Sequence, residues 1–139
     1  MIRPLKITDF NERFIEIMHQ DGVRGYNGQF IESEDEWFKH FFTDERCYMY
    51  GLFLKTKLQA VLVAEQLSNK GCMIWYIAVH PKEHRKGYGK QLLAYFENFC
   101  KMDGIEWIYL MSALTSTEFY KEMGYETAGI HLIEHVKNL

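Results

Sequence analysis

Residues 74–93 read I-W-Y-I-A-V-H-P-K-E-H-R-K-G-Y-G-K-Q-L-L, and residues 115–125 read T-S-T-E-F-Y-K-E-M-G-Y. The first stretch opens on an apolar run, breaks at His80-Pro81, turns through His84-Arg85-Lys86-Gly87-Tyr88-Gly89-Lys90 and resumes at Leu92-Leu93. Apolar residues on both parities over 72–79 predict a strand covered on both faces. Leu92, Leu93, Phe96, Phe99 and Cys100 recur at helical spacing and predict a helix over about 87–102. A glycine-bearing turn between such a strand and helix points free backbone N–H groups outward, and the helix dipole favours an anion there.

Outside this unit, 47–54 and 58–65 read as strands joined by a turn at Lys55-Thr56-Lys57. Gly104 ends the central helix, 106–111 is the next strand, and a short helix over 116–123 stops at Gly124. The tail, 126–136, supplies one or two closing strands. Capping boxes pair Asp9 with Glu12, Ser33 with Glu36 and Thr115 with Glu118. They predict a helix over 10–19 with Phe10, Phe14, Ile17 and Met18 as its apolar stripe. A second spans 34–42 and carries Trp37, Phe38 and Phe41, after a glycine-rich loop at 22–28 that holds Arg24 and Tyr26. Strand, helix and strand over 72–111 make a βαβ unit and therefore a parallel pair. The loop 80–86 and the segment 112–120 then leave the same sheet edge, where ligands of open α/β sheets gather.

With 139 residues, 47% of them hydrophobic, the chain is predicted to form one domain over 1–139 with a packed core. A net charge of -3 argues against a nucleic-acid partner, and the basic cluster 82–90 is too short to follow a duplex. Cys47, Cys72 and Cys100 are unpaired by spacing, which fits a reducing compartment rather than disulfides or a zinc site. No apolar run reaches membrane-span length and M-I-R-P-L-K is not a signal pattern, so the expectation is a cytoplasmic chain with no membrane partner. His131 and His135 read as ordinary strand histidines, and no metal is expected.

Alone, Gly87-Tyr88-Gly89 reads more readily as a solvated basic turn before an amphipathic helix. It is not a Walker loop, because Lys90 is followed by Gln91, and it lacks the third glycine of a dinucleotide fingerprint. The combination decides. Val79-His80-Pro81, the basic turn, Leu92-Leu93, Phe119-Tyr120 and Gly124-Tyr125 together resemble the GNAT superfamily of N-acetyltransferases.

That resemblance implies an α/β (α+β-like) fold: a mixed, strongly twisted sheet of six to seven strands flanked by about four helices. It implies transfer of an acetyl group from acetyl-CoA directly to a primary amine through a tetrahedral intermediate. Ile77, Ala78 and Val79 would meet the pantetheine arm through their backbone. The amides of the turn, from His84 through Arg85, Lys86, Gly87, Tyr88, Gly89 and Lys90, would hold the pyrophosphate. An N–H near Val79 would stabilise the oxyanion. Gly87 and Gly89 would keep side chains out of the cradle. Tyr120 would sit near the cofactor sulfur and protonate the departing thiolate.

Three departures stand out. His84 replaces the usual Arg or Gln of the turn, and Arg85 a common Gly. The run Ser112-Ala113-Leu114-Thr115-Ser116 lacks a cofactor-touching Asn. The strand before the turn has no glutamate to serve as general base, which leaves Glu65 through a water, His80 and Glu83 as candidates. An aromatic pocket near Arg24 suggests a small acceptor with a negative group; a peptide or protein amine is the alternative. A non-catalytic acyl-CoA sensor or scaffold is the rival reading, favoured by the missing glutamate and opposed by Tyr120. The chain is expected to be a monomer or homodimer.

Overall fold

The computed structural model describes residues 1–20, 33–112, 117–127 and 133–139. Among these, the strands are β1 (Ile2–Pro4), β2 (Cys47–Leu54), β3 (Lys57–Gln66), β4 (Gly71–Val79), β5 (Trp107–Ser112), β6 (Glu126–Thr127) and β7 (Ile133–Asn138). They form one sheet in the order β1-β2-β3-β4-β5-β7-β6. The described helices are α1 (Glu12–Met18), α2 (Ser33–Thr43), α3 (Tyr88–Met102) and α4 (Thr117–Glu122). Every ladder is antiparallel except β4 with β5, which runs parallel from Gly71↔Trp107 to Ile74↔Leu110. The crossover helix α3 makes that pairing possible.

Side chains on successive strand residues point to opposite faces, so β3 feeds two cores at once. Ala60, Leu62 and Ala64 join Leu92, Leu93, Phe96 and Cys100 of α3 on one face. Leu58, Val61 and Val63 join Phe14, Ile17 and Met18 of α1 and Phe38 and Phe41 of α2 on the other. Tyr120 of α4 packs on the α3 side. The expected mixed sheet flanked by four helices is therefore what forms.

Local differences have local causes. β1 has no sequence signature because it is three residues long and ends in Pro4; it pairs with β2 at the sheet rim, where a proline is tolerated. The first helix starts two residues late because Asn11, not Asp9, caps it, accepting from the N–H groups of Arg13 and Phe14. Arg3 claims Asp9 instead, with guanidinium nitrogens 2.9 Å from each carboxylate oxygen. That pair holds the Asp9 carboxyl below the usual carboxylate range. The loop 22–28 with Arg24 and Tyr26, the residues 113–116 with the Thr115 cap, and His131 lie outside the described residues.

Candidate active site

The site begins where the sheet stops closing. β3 and β4 pair Val63 with Tyr76 but Ala64 with Ile74, so Trp75 is an extra residue in β4. Such a bulge bends its strand and breaks the local ladder. The parallel ladder to β5 ends at Ile74, immediately before it. Beyond that point, among the described residues, Trp75–Val79 has β3 on one side and no strand on the other.

The register says which groups face the gap. His80 N–H donates to Gln59 O at 2.8 Å, and Val79 stands opposite Ala60. That geometry makes Val79–Ala60 a non-hydrogen-bonded pair, so Val79 and, two residues back, Ile77 direct their N–H and C=O away from β3. Ala78 turns its own toward Val61. Only alternate members of the expected Ile77, Ala78, Val79 trio thus present backbone to the crevice. The Val79 carbonyl is already engaged, accepting from Gln20 Nε2 at 2.6 Å and from His84 Nε2 at 2.9 Å.

The connection to α3 is tightly built. Pro81–Glu83 forms one 3-10 turn whose start is capped by His80, with Nδ1 accepting from Lys82 N–H. Nδ1 therefore carries no proton, and Nε2 donates to Glu16 at 2.9 Å. Both His80 nitrogens are committed, and the ring is buried. Glu83 pairs with Lys86, which holds the Glu83 carboxyl below its usual range.

Arg85 then adopts φ 66, the left-handed region in which a glycine would be unstrained. Gly87 follows at φ 82 as the N-cap of α3, and no side chain among the described residues caps the helix. The first N–H groups of α3 are therefore left without an intrahelical partner at the positive end of a 15-residue helix. The two glycines differ in role. A Cβ on Gly87 would meet nothing within 4 Å, so at Gly87 the glycine serves the backbone angle rather than the packing. A Cβ on Gly89 would lie 3.5 Å from Phe119 and 3.6 Å from Val79, ordinary contact inside the packing.

These pieces line one cavity of about 520 Å3. Its walls are Ile77, Ala78 and Val79 of β4, the turn residues Glu83, His84, Arg85, Gly87, Tyr88, Gly89 and Lys90, Gln20 after α1, and Phe119 and Tyr120 of α4. The expected strand end, turn and Tyr120 thus meet at one place. Lys86 is exposed beside the turn and does not line the cavity. Gln20 and Phe119 are additions; Phe119 belongs to the quoted F-Y pair, whereas nothing in the sequence marks Gln20. Burial pushes the Tyr120 phenol up to about 12, so it keeps its proton at neutral pH.

Glu65 lies outside the cavity lining, on the α2 face at the bulge. Its Oε1 accepts from Trp75 Nε1 at 3.0 Å, and Oε2 is 3.4 Å from Arg46. Asp44, Cys47 and Glu65 bring one possible metal-ligand atom each to within 4.8 Å of one another. Arg46 occupies the two carboxylates, and burial pushes the Cys47 thiol up to about 11, keeping it protonated.

Comparisons with known proteins agree with this geometry. The profile described as the acetyltransferase (GNAT) family matches residues 11–125. The sequence finds no match among curated proteins. Among solved structures, the PaiA N-acetyltransferase of Thermoplasma acidophilum, in complex with coenzyme A, superposes with a TM-score of 0.77 at 22% identity. The match covers 100% of this chain and 98% of that one. An aminoglycoside 6'-N-acetyltransferase complexed with coenzyme A gives 0.80 at 15% identity, covering 99% and 96%. The ribosomal-protein-S18-alanine N-acetyltransferase of Escherichia coli gives 0.76 at 18%, covering 98% and 90%. At these identities the structures speak for the fold. No described helix is long and apolar enough to cross a membrane.

Proposed function

The chain belongs to the acetyltransferase (GNAT) family, and from that membership we propose that residues 1–139 act as a single, cytoplasmic N-acetyltransferase domain that moves an acetyl group from acetyl-CoA to a primary amine. The observation that carries the reading is the convergence of an unpaired strand edge, an uncapped helix N-terminus and a buried phenol on one cavity.

The residues fit a CoA molecule part by part. The Ile77 backbone and the Val79 N–H, freed from any sheet partner, meet the amides of the pantetheine arm as a neighbouring strand would. The turn amides and the α3 dipole receive the pyrophosphate, an arrangement that survives His84 and Arg85 because the backbone makes the contacts. An N–H on the same free edge faces the oxygen that gains charge as the amine attacks. CoA supplies the thioester; this chain's residues bind it, orient it and move protons.

At the sulfur, Tyr120 gives up its phenol proton as the C–S bond breaks and the new C–N bond is complete. Held near 12 by burial, the phenol is a weaker acid than in water. The same dry surroundings raise the basicity of the departing thiolate, so the transfer stays useful. At the amine, a base takes the proton through a water. The candidates for that base are Glu65, which lies outside the cavity lining with its oxygens on Trp75 and Arg46, and His80, whose two nitrogens are committed. The acceptor is read as a small-molecule amine, with no metal taking part.

Free-thiol release from acetyl-CoA, measured with a panel of amines and followed by mass detection of products, tests the proposal. Turnover on at least one amine is expected. Thermal stabilisation by CoA with no turnover on any amine would replace the enzyme with a CoA sensor.

A further inference from the structure

Helix α3 carries a carboxylate where its apolar stripe continues. Glu97 lies four residues after Leu93 and three before Cys100, and is 7% exposed. Its partner comes from the far end of the chain: Lys137 on β7 places Nζ 2.9 Å from Glu97 Oε2. The contact is an ion pair without hydrogen-bond geometry, and the same ammonium donates to the Met123 carbonyl at 2.7 Å. The Tyr125 ring lies 5.5 Å from the same ammonium. Burial, and then the Glu97 charge, push the Tyr125 phenol up, so it stays protonated beside the carboxylate.

These groups surround the cap that ends α4. Tyr125 N–H donates to Tyr120 O and Gly124 N–H to Lys121 O, each at 3.0 Å. Gly124 sits at φ 91. This is a Schellman cap with Tyr120 at its first carbonyl. The hydrophobic contact that accompanies such a cap is Tyr125 on Tyr120, with ring centroids 6.0 Å apart. Lys137 lies across the cap: a Cβ on Gly124 would meet its Cε and Nζ at 3.4 Å.

We propose that Glu97 and Lys137 are positioning residues for Tyr120. The buried pair fixes the α4 cap through the Met123 carbonyl and the Tyr125 ring, and so holds the Tyr120 phenol in the cavity; this rests on Tyr120 being the proton donor. Stability alone does not account for the pair. An apolar pair of similar volume is commonly as stable as a buried ion pair. Here the contact between Glu97 Oε2 and Lys137 also lacks hydrogen-bond geometry. What the charges add is direction. Lys137 fixes one carbonyl at the C-terminal end of α4, where a cation is favoured.

The test replaces both charges, Glu97→Leu with Lys137→Met, in the native and the Tyr120→Phe backgrounds. Turnover is read by thiol release with the most active amine of the panel, CoA affinity by calorimetry, folding by thermal melting, and ring environment by 13C-labelled tyrosine. The melting temperature and CoA affinity are expected to hold. In the native background kcat should fall about tenfold, as for a slightly misplaced catalytic group, and in Tyr120→Phe by less than about twofold on the same argument. The Tyr120 ring signals should move while those of Tyr48 and Tyr50 stay. An equal fall in both backgrounds, no fall in either, or unmoved Tyr120 signals overturns the proposal. Should the double replacement not fold, Glu97→Gln carries the same comparison. A Tyr120→Phe enzyme with native kcat overturns the proton-donor reading itself, and that arm reads separately.

Discussion

β4 is two strands in one. Its first half, Gly71–Ile74, is locked between β3 and β5, and its residues are buried. Its second half, Trp75–Val79, keeps β3 and loses β5, and several of its residues are partly exposed to the cavity. Both halves are apolar and belong to the same strand pattern. The difference is the single extra residue at Trp75. The site is made by interrupting the sheet, whereas the fold is made by continuing it, and the two tasks are divided within nine residues.

Substitutions on either side of the bulge should therefore fail in different ways. The largest effect is expected at the open end: Gly87→Asp puts a carboxylate at the cradle and a side chain at φ 82, and should abolish CoA binding by calorimetry. Unchanged affinity would show that the turn is not the cradle. Next, Tyr120→Phe should lower kcat by about 100-fold, the low end for general acid catalysis, with CoA affinity retained. A near-native kcat would remove the proton donor from the open half. In the closed half, a Cβ on Gly71 would fall 1.9 Å from the Trp107 ring. Gly71→Ala should cost about 1–3 kcal/mol in denaturant unfolding while kcat of the folded enzyme holds. A loss of kcat with native stability would erase the division. Asn11→Ala, at the α1 cap and away from both halves, should cost about 1 kcal/mol, read by the same unfolding. The smallest expected effect is none: kcat should show no alkaline limb near 10, the ordinary phenol value, because burial holds Tyr120 at about 12.

The unit that builds the site was legible because its signals are short-range. Apolar runs, helical spacing and paired glycines placed β4, α3, β5 and α4 close to their bounds, and parallel pairing brought the turn and Tyr120 to one edge. The bulge was not legible. An apolar strand has no alternation for an extra residue to break, so Trp75 reads as one more core position. Asp9 and Asn11 both suit a helix cap, and the choice between them was made by Arg3 across the chain. Glu97 did leave a mark, a charge on the buried stripe of α3, yet its partner lies forty residues away on β7. The surroundings of Glu65 and His80, hydrogen bonds to Trp75, Glu16 and Lys82, are likewise encoded by no spacing.

The interrupted ladder has a further consequence, for solubility. An unpaired strand edge usually invites another chain to add itself, and edges at a sheet rim are a route to aggregation. Here the bare half of β4 lies in the middle of the sheet, with the rims formed by β1 and β6. A second protein bringing a full strand with side chains above and below would need more room than the cavity walled by Phe119, Tyr120 and the turn leaves. A slender, unbranched amide chain would not. Recessed within the sheet, this bare edge is less open to a second copy of the chain than an edge at the rim.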